Sequence, residues 1–63
     1  MKTNTTYSEQ DNELTVAVCT STYYRLNGFM PSIDELCVQL GNGYRALVVK
    51  LMNRPGFVEA ICA

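Results

Sequence analysis

The feature that most constrains this chain is a tight corner, Gly41-Asn42-Gly43, between two segments that each carry a helical stripe of apolar residues. Ahead of the corner, Ser32 and Glu35 have the Ser-x-x-Glu spacing of a capping box. Pro31 discourages an earlier helix start. Ile33, Leu36, Cys37 and Leu40 then recur at i, i+3, i+4 and i+7, one apolar face on a 3.6-residue period. Gly41 ends that helix and can adopt a left-handed conformation there. Beyond the corner a helix is predicted over 44–53, with Tyr44, Leu47, Val48 and Leu51 inside and Met52 at the edge. Asn-Gly is also a strong hairpin signal. Here the flanks are helical rather than alternating, so the grammar is that of a helix-turn-helix.

The segments on either side are less decisive. Residues 1–7 are polar and Thr/Asn-rich and are expected to fray. Ser8 suits an N-cap, which places Glu9 and Asp11 in a first turn where negative charge complements the helix dipole. A first helix is predicted over 9–26, with Leu14, Ala17, Val18, Ser21 and Arg25 along one side and Asn27-Gly28 as its stop. Residues 15–24 are rich in β-branched and aromatic types, and Leu14, Val16, Val18 and Tyr24 also fit a period of two. Propensity taken alone favours a strand; the cap and the glycine stop decide for helix. After the third helix, Pro55 and Gly56 break the chain. Residues 57–62 are largely apolar and read as a short strand. Its bare edge needs a partner, either a short N-terminal strand or a second copy of the chain. The expected fold class is mainly α: a three-helix helix-turn-helix bundle with a short C-terminal β-strand, one domain over 1–63.

Sixty-three residues allow one small core. A domain of this size buries only about 60% of its unfolded surface, so dimerisation is a natural supplement. No apolar run approaches the roughly 18 residues that span a bilayer. The polar start has no apolar signal region, so a cytoplasmic location is expected. Three widely spaced cysteines, Cys19, Cys37 and Cys62, do not suggest a disulfide framework. With no histidine and no Cys-x-x-Cys pair, a zinc site has little support, and no cofactor is expected. Cys37 lies on an apolar face, where cysteine behaves as a small hydrophobe. Asp34 and Glu35 form a first-turn acidic pair without a base, nucleophile or cleft signal beside it, so an enzyme is not expected.

Gly28 to Gly41 resembles the second-helix region of winged helix-turn-helix domains, with the LexA-type repressor DNA-binding domain as the nearest likeness. Arg54-Pro55-Gly56-Phe57-Val58 is similar to the step into that family's wing. Cys37 stands where the motif prefers a small residue, Gly41 takes the turn glycine and Leu47 a buried apolar position. Lys50 stands where that family is often apolar, the turn is shorter, and the chain ends where a second wing strand would begin. The resemblance implies a truncated winged helix whose third helix enters the major groove of double-stranded DNA, in a small repressor-like regulator such as a phage encodes.

Carried over on that likeness, Arg45, Lys50 and Asn53 face the groove, Val49 meets a thymine methyl, Arg54 grips the backbone, and Asn42 and Tyr44 sit where a helix start approaches phosphate. Five basic residues against six acidic ones give a net charge of −1, which is unusual for a nucleic-acid binder. A second expectation therefore stands beside the first. On it, the same scaffold is a protein-binding module that contacts a partner through Ala46, Val49 and the Tyr23-Tyr24 pair. Both versions allow a homodimer through residues 57–62.

Overall fold

The computed structural model describes the backbone of residues 3–63 and the side chains of residues 10–63. Among the described residues four helices follow one another: α1 over Thr3–Asn27, α2 over Ile33–Leu40, α3 over Arg45–Met52 and α4 over Phe57–Cys62. A single 3-10 turn, Asn42–Tyr44, joins α2 to α3.

The α2–α3 unit forms as its spacing requires. Ser32 has extended backbone angles and its Oγ accepts the Glu35 N–H at 3.0 Å, which satisfies one of the free donors at the helix start. The capping box is half used. Glu35 turns along the helix instead, and its Oε2 accepts from Gln39 Nε2 at 3.2 Å. At the other end the Gly41 N–H donates to the Cys37 carbonyl at 2.7 Å. Gly41 has φ 107° and ψ 152°, a positive-φ extended conformation rather than the left-handed helical one expected of it. The Tyr44 N–H then donates to the Gly41 carbonyl at 3.0 Å, closing the turn into α3.

Four fully buried side chains make the centre: Val16 from α1, Leu36 from α2, and Val48 and Leu51 from α3. Ile33, Leu40, Tyr44, Leu47, Met52 and Phe57 pack around them, half-buried. Cys37 is buried too. The two stripes legible on either side of the glycine corner therefore face a common interior.

α1 is a helix despite its β-branched composition, and two of its threonine hydroxyls are satisfied within it. Thr20 Oγ1 donates to the Val16 carbonyl at 2.7 Å and Thr15 Oγ1 to the Asp11 carbonyl at 2.9 Å. Val16 and Thr20 have no exposed surface, so tertiary packing outweighs strand propensity. The stop is the expected one: the Gly28 N–H donates to the Tyr24 carbonyl at 2.8 Å. The start is earlier than predicted. Ser8 stands inside the helix instead of capping it. The side chains of Ser8 and Glu9, and the expected fraying at Met1 and Lys2, lie outside the described residues. The side predicted to carry Leu14, Ala17, Val18, Ser21 and Arg25 is only partly an inner one: Ala17 and Ser21 are half-buried, while Leu14, Val18 and Arg25 are exposed.

The C-terminal strand is a correction. Phe57–Cys62 is helical, and no strand occurs among the described residues. The fold is all-α, so the truncated winged helix and the edge-to-edge dimer drawn from it lose their basis. The physical reason is hydrogen-bond accounting. A lone strand has no neighbour for its N–H and C=O groups, whereas a short helix pairs part of its own, as the Ala60 N–H does with the Gly56 carbonyl and the Ala63 N–H with that of Glu59. The apolar run also fits a helical period: Phe57, Ala60 and Ile61, at i, i+3 and i+4, line a shallow groove with Ala17 and Val18 of α1. Gly56 makes this possible. It starts α4 at φ 89°, ψ −13°, a left-handed conformation, and its carbonyl accepts the Ala60 N–H at 2.9 Å.

Two stability predictions follow from these caps. Gly56→Ala meets no atom within 4 Å of the new Cβ, so its cost is backbone strain alone, about 1–2 kcal/mol. Gly43→Ala, equally unhindered and without positive φ, is neutral or slightly stabilising. Urea unfolding of the pair checks the contrast, and equal midpoints would show that α4 does not start at Gly56. Ser32→Ala should cost about 1 kcal/mol, and Ser32→Gly only a few tenths; a neutral alanine variant would remove the cap from the account.

Candidate functional site

The outer surface of the α2–α3 corner is built from residues that the inward stripe leaves over. With Leu36, Val48 and Leu51 fixed inside, Asp34, Val38, Arg45, Ala46, Val49 and Lys50 point outward and are all exposed. Asp34, Cys37, Val38, Asn42 and Arg45 line one shallow depression. Arg45 Nη1 lies 3.1 Å from Asp34 Oδ1, so this cation is paired across the corner.

The other sequence-selected residues have equally definite surroundings. Arg54 spreads its guanidinium over Glu13 of α1, with Nη1 to Oε1 at 3.4 Å and Nη2 to Oε2 at 3.3 Å. Asn53 donates its Nδ2–H to the Val49 carbonyl at 2.8 Å, closing the end of α3 on itself. Tyr44 is half-buried against the core, and its hydroxyl sits 3.5 Å from Asn12 Oδ1. Asn42 is exposed at the first position of the 3-10 turn. Lys50 is exposed and makes no ion pair among the described residues. Asn42, Arg45, Val49 and Lys50 thus lie on the corner or α3, while Tyr44, Asn53 and Arg54 are engaged within the protein.

Electrostatically, the corner is nearly balanced. Both arginines selected as DNA contacts have a carboxylate partner. Exposed pairs of this kind contribute about 0–1 kcal/mol each, so they cancel local field more than they stabilise the fold. Tyr23 and Tyr24 are half-buried, and Tyr23 meets Phe29 edge-to-face with centroids 5.8 Å apart. Burial pushes the Cys19 thiol up from its ordinary value, and Cys19 Sγ lies 3.9 Å from Gln39 Oε1. A raised thiol is less available as thiolate.

Several exposed apolar side chains escaped the sequence reading. Val38 is 80% exposed, Leu14 61% and Val18 56%. For Val38 the signal was present: it falls off the stripe of 33, 36, 37 and 40, so it must face out. For Leu14 and Val18, apolar residues occur all round α1, and the sequence does not say which side meets the core. The Glu13–Arg54 pair joins positions 41 apart and has no local signature.

No described helix is long and apolar enough to cross a membrane, and no group of three or more His, Cys, Asp or Glu among the described residues gathers to hold a metal ion. Compared with family models, curated proteins and solved structures, the chain matches none.

Proposed function

We propose that the α2–α3 corner is a protein-docking surface: a small interaction module that modulates a partner protein without contacting DNA. The observation that supports this is the pairing of Arg45 with Asp34 beside the exposed Val38. Duplex binding draws on counterion release, and a protein that neutralises one or two phosphates gains little from it, against roughly 6–10 contacts in a strongly salt-dependent binder. Here Lys50 is the one α3 cation without a carboxylate partner among the described residues. An apolar side chain beside a satisfied ion pair suits the mixed polarity of a protein interface better than a phosphate-tracking face. Three free thiols, Cys19, Cys37 and Cys62, suit a reducing compartment, so a cytoplasmic location belongs to the same proposal.

One observation favours the DNA reading. Ala46, Val49 and Lys50 share the exposed side of α3 with Arg45, and an exposed ion pair is cheap to exchange for a phosphate.

A titration of random duplex at low salt separates the two. The docking proposal expects a Kd weaker than about 10⁻⁴ M, the weak end of non-specific binding. Micromolar binding with a steep salt slope, lost in Arg45→Ala/Lys50→Ala, would overturn it. In a nuclease-treated lysate of the source cell, capture of one protein should be lost in Val38→Glu and kept in Lys50→Ala. The reverse pattern sinks the proposal.

A further inference from the structure

α1 carries apolar side chains on two opposite sides. Its inner side delivers Val16 and Thr20 to the core, with no exposure. Directly opposite run Asp11, Leu14, Val18, Thr22 and Arg25, spaced three or four residues apart and all exposed. Leu14 and Val18, one turn apart, are 61% and 56% exposed and form an apolar centre on this outer face. Shallow grooves flank this outer face, one bordered by Phe57 and Ile61 of α4, the other by Leu40 of α2.

We propose that the outer face of α1 pairs with the same face of a second copy, antiparallel, about a two-fold axis at Val18. Charge complementarity selects both the occupant and the direction. Asp11 and Arg25 bound the apolar centre, and neither makes an ion pair among the described residues. Counting outward from Val18, seven residues lead to Asp11 and seven to Arg25. In an antiparallel pair Val18 therefore meets Val18, Leu14 meets Thr22 and Asp11 meets Arg25, each of the last two contacts occurring twice. That is the self-complementarity a two-fold interface demands. A parallel pair would set Asp11 on Asp11 and Arg25 on Arg25, which is repulsive. The contact spans about 21 Å of helix, at 1.5 Å per residue. It lies on the far side of α1 from the core and uses none of Asp34, Val38, Arg45 or Lys50, so it stands independently of the docking proposal.

Sedimentation equilibrium over a concentration series of the full chain tests this. The wild type should dimerise. Asp11→Arg and Arg25→Asp should each weaken the dimer about tenfold, a 1.4 kcal/mol change. The double swap should restore it, and an equimolar mixture of the two single variants should form the heterodimer preferentially. Val18→Glu should be monomeric with an unchanged far-UV spectrum, because Val18 is more than half exposed and lies outside the core. A monomeric wild type at every concentration, a Val18→Glu dimer of wild-type strength, or a double swap as weak as its parents would each overturn the proposal.

Discussion

The burial of Leu36, Val48 and Leu51 against Val16 is the constraint on which everything else rests. α2 and α3 have eight residues each and α4 has six, well below the length at which an isolated helix persists in water. None of them exists without the others. Each contributes one apolar face to a centre that closes only because the Gly41 corner reverses the chain within one 3-10 turn. α1 supplies the remaining wall, and its length makes it the one element with surface to spare. The inward residues determine the outward ones: once Leu36 and Leu51 are inside, Val38, Arg45 and Lys50 must lie outside.

What was legible in the sequence follows the strength of local signals. Ser32, Gly41 and the stripe of 33, 36, 37 and 40 each carry their own stereochemistry, and α2 forms where they place it. In α1 the local evidence conflicts, and the helix prevails because it carries Val16 and Thr20 into the core, where the Thr20 hydroxyl is satisfied by the Val16 carbonyl. At residues 57–62 a six-residue, largely apolar run fits both periods, and the segment is a helix rather than the expected strand. What separates helix from strand there is the absence of a neighbouring strand, a tertiary fact. Arg54-Pro55-Gly56-Phe57 resembles a step into a wing, yet here Gly56 is the left-handed start of α4.

Site residues were legible by position and not by state. Arg45, Val49 and Lys50 are on the surface, as the period of α3 requires. Their charge environment is not local. The partner of Arg45 lies on the preceding helix and that of Arg54 on α1, so of the three cations Arg45, Lys50 and Arg54 the fold leaves Lys50 alone without a carboxylate among the described residues. The carboxylates placed beside Arg45 and Arg54 offset part of the field that a phosphate backbone would meet. The net charge of −1 pointed the same way without identifying the residues responsible.

The two proposed surfaces are built from different residues of one small domain, Val38 and the Asp34–Arg45 pair in one and Leu14 and Val18 in the other, and that separation has an energetic consequence. A chain of this length buries a modest fraction of its surface, so folding leaves little stability in reserve. Any contact available only to the folded state adds to that reserve by mass action, in proportion to the logarithm of partner concentration over Kd. Pairing along α1 would stabilise the core without touching the α2–α3 corner. It would also carry two identical corners on one rigid dimer. A partner with two equivalent sites at the right separation then gains from effective concentration, so weak individual contacts, such as one valine beside an ion pair, suffice for firm attachment. The balanced charge of the corner would be no handicap in that setting. Each corner need only be specific, because affinity comes from engaging both.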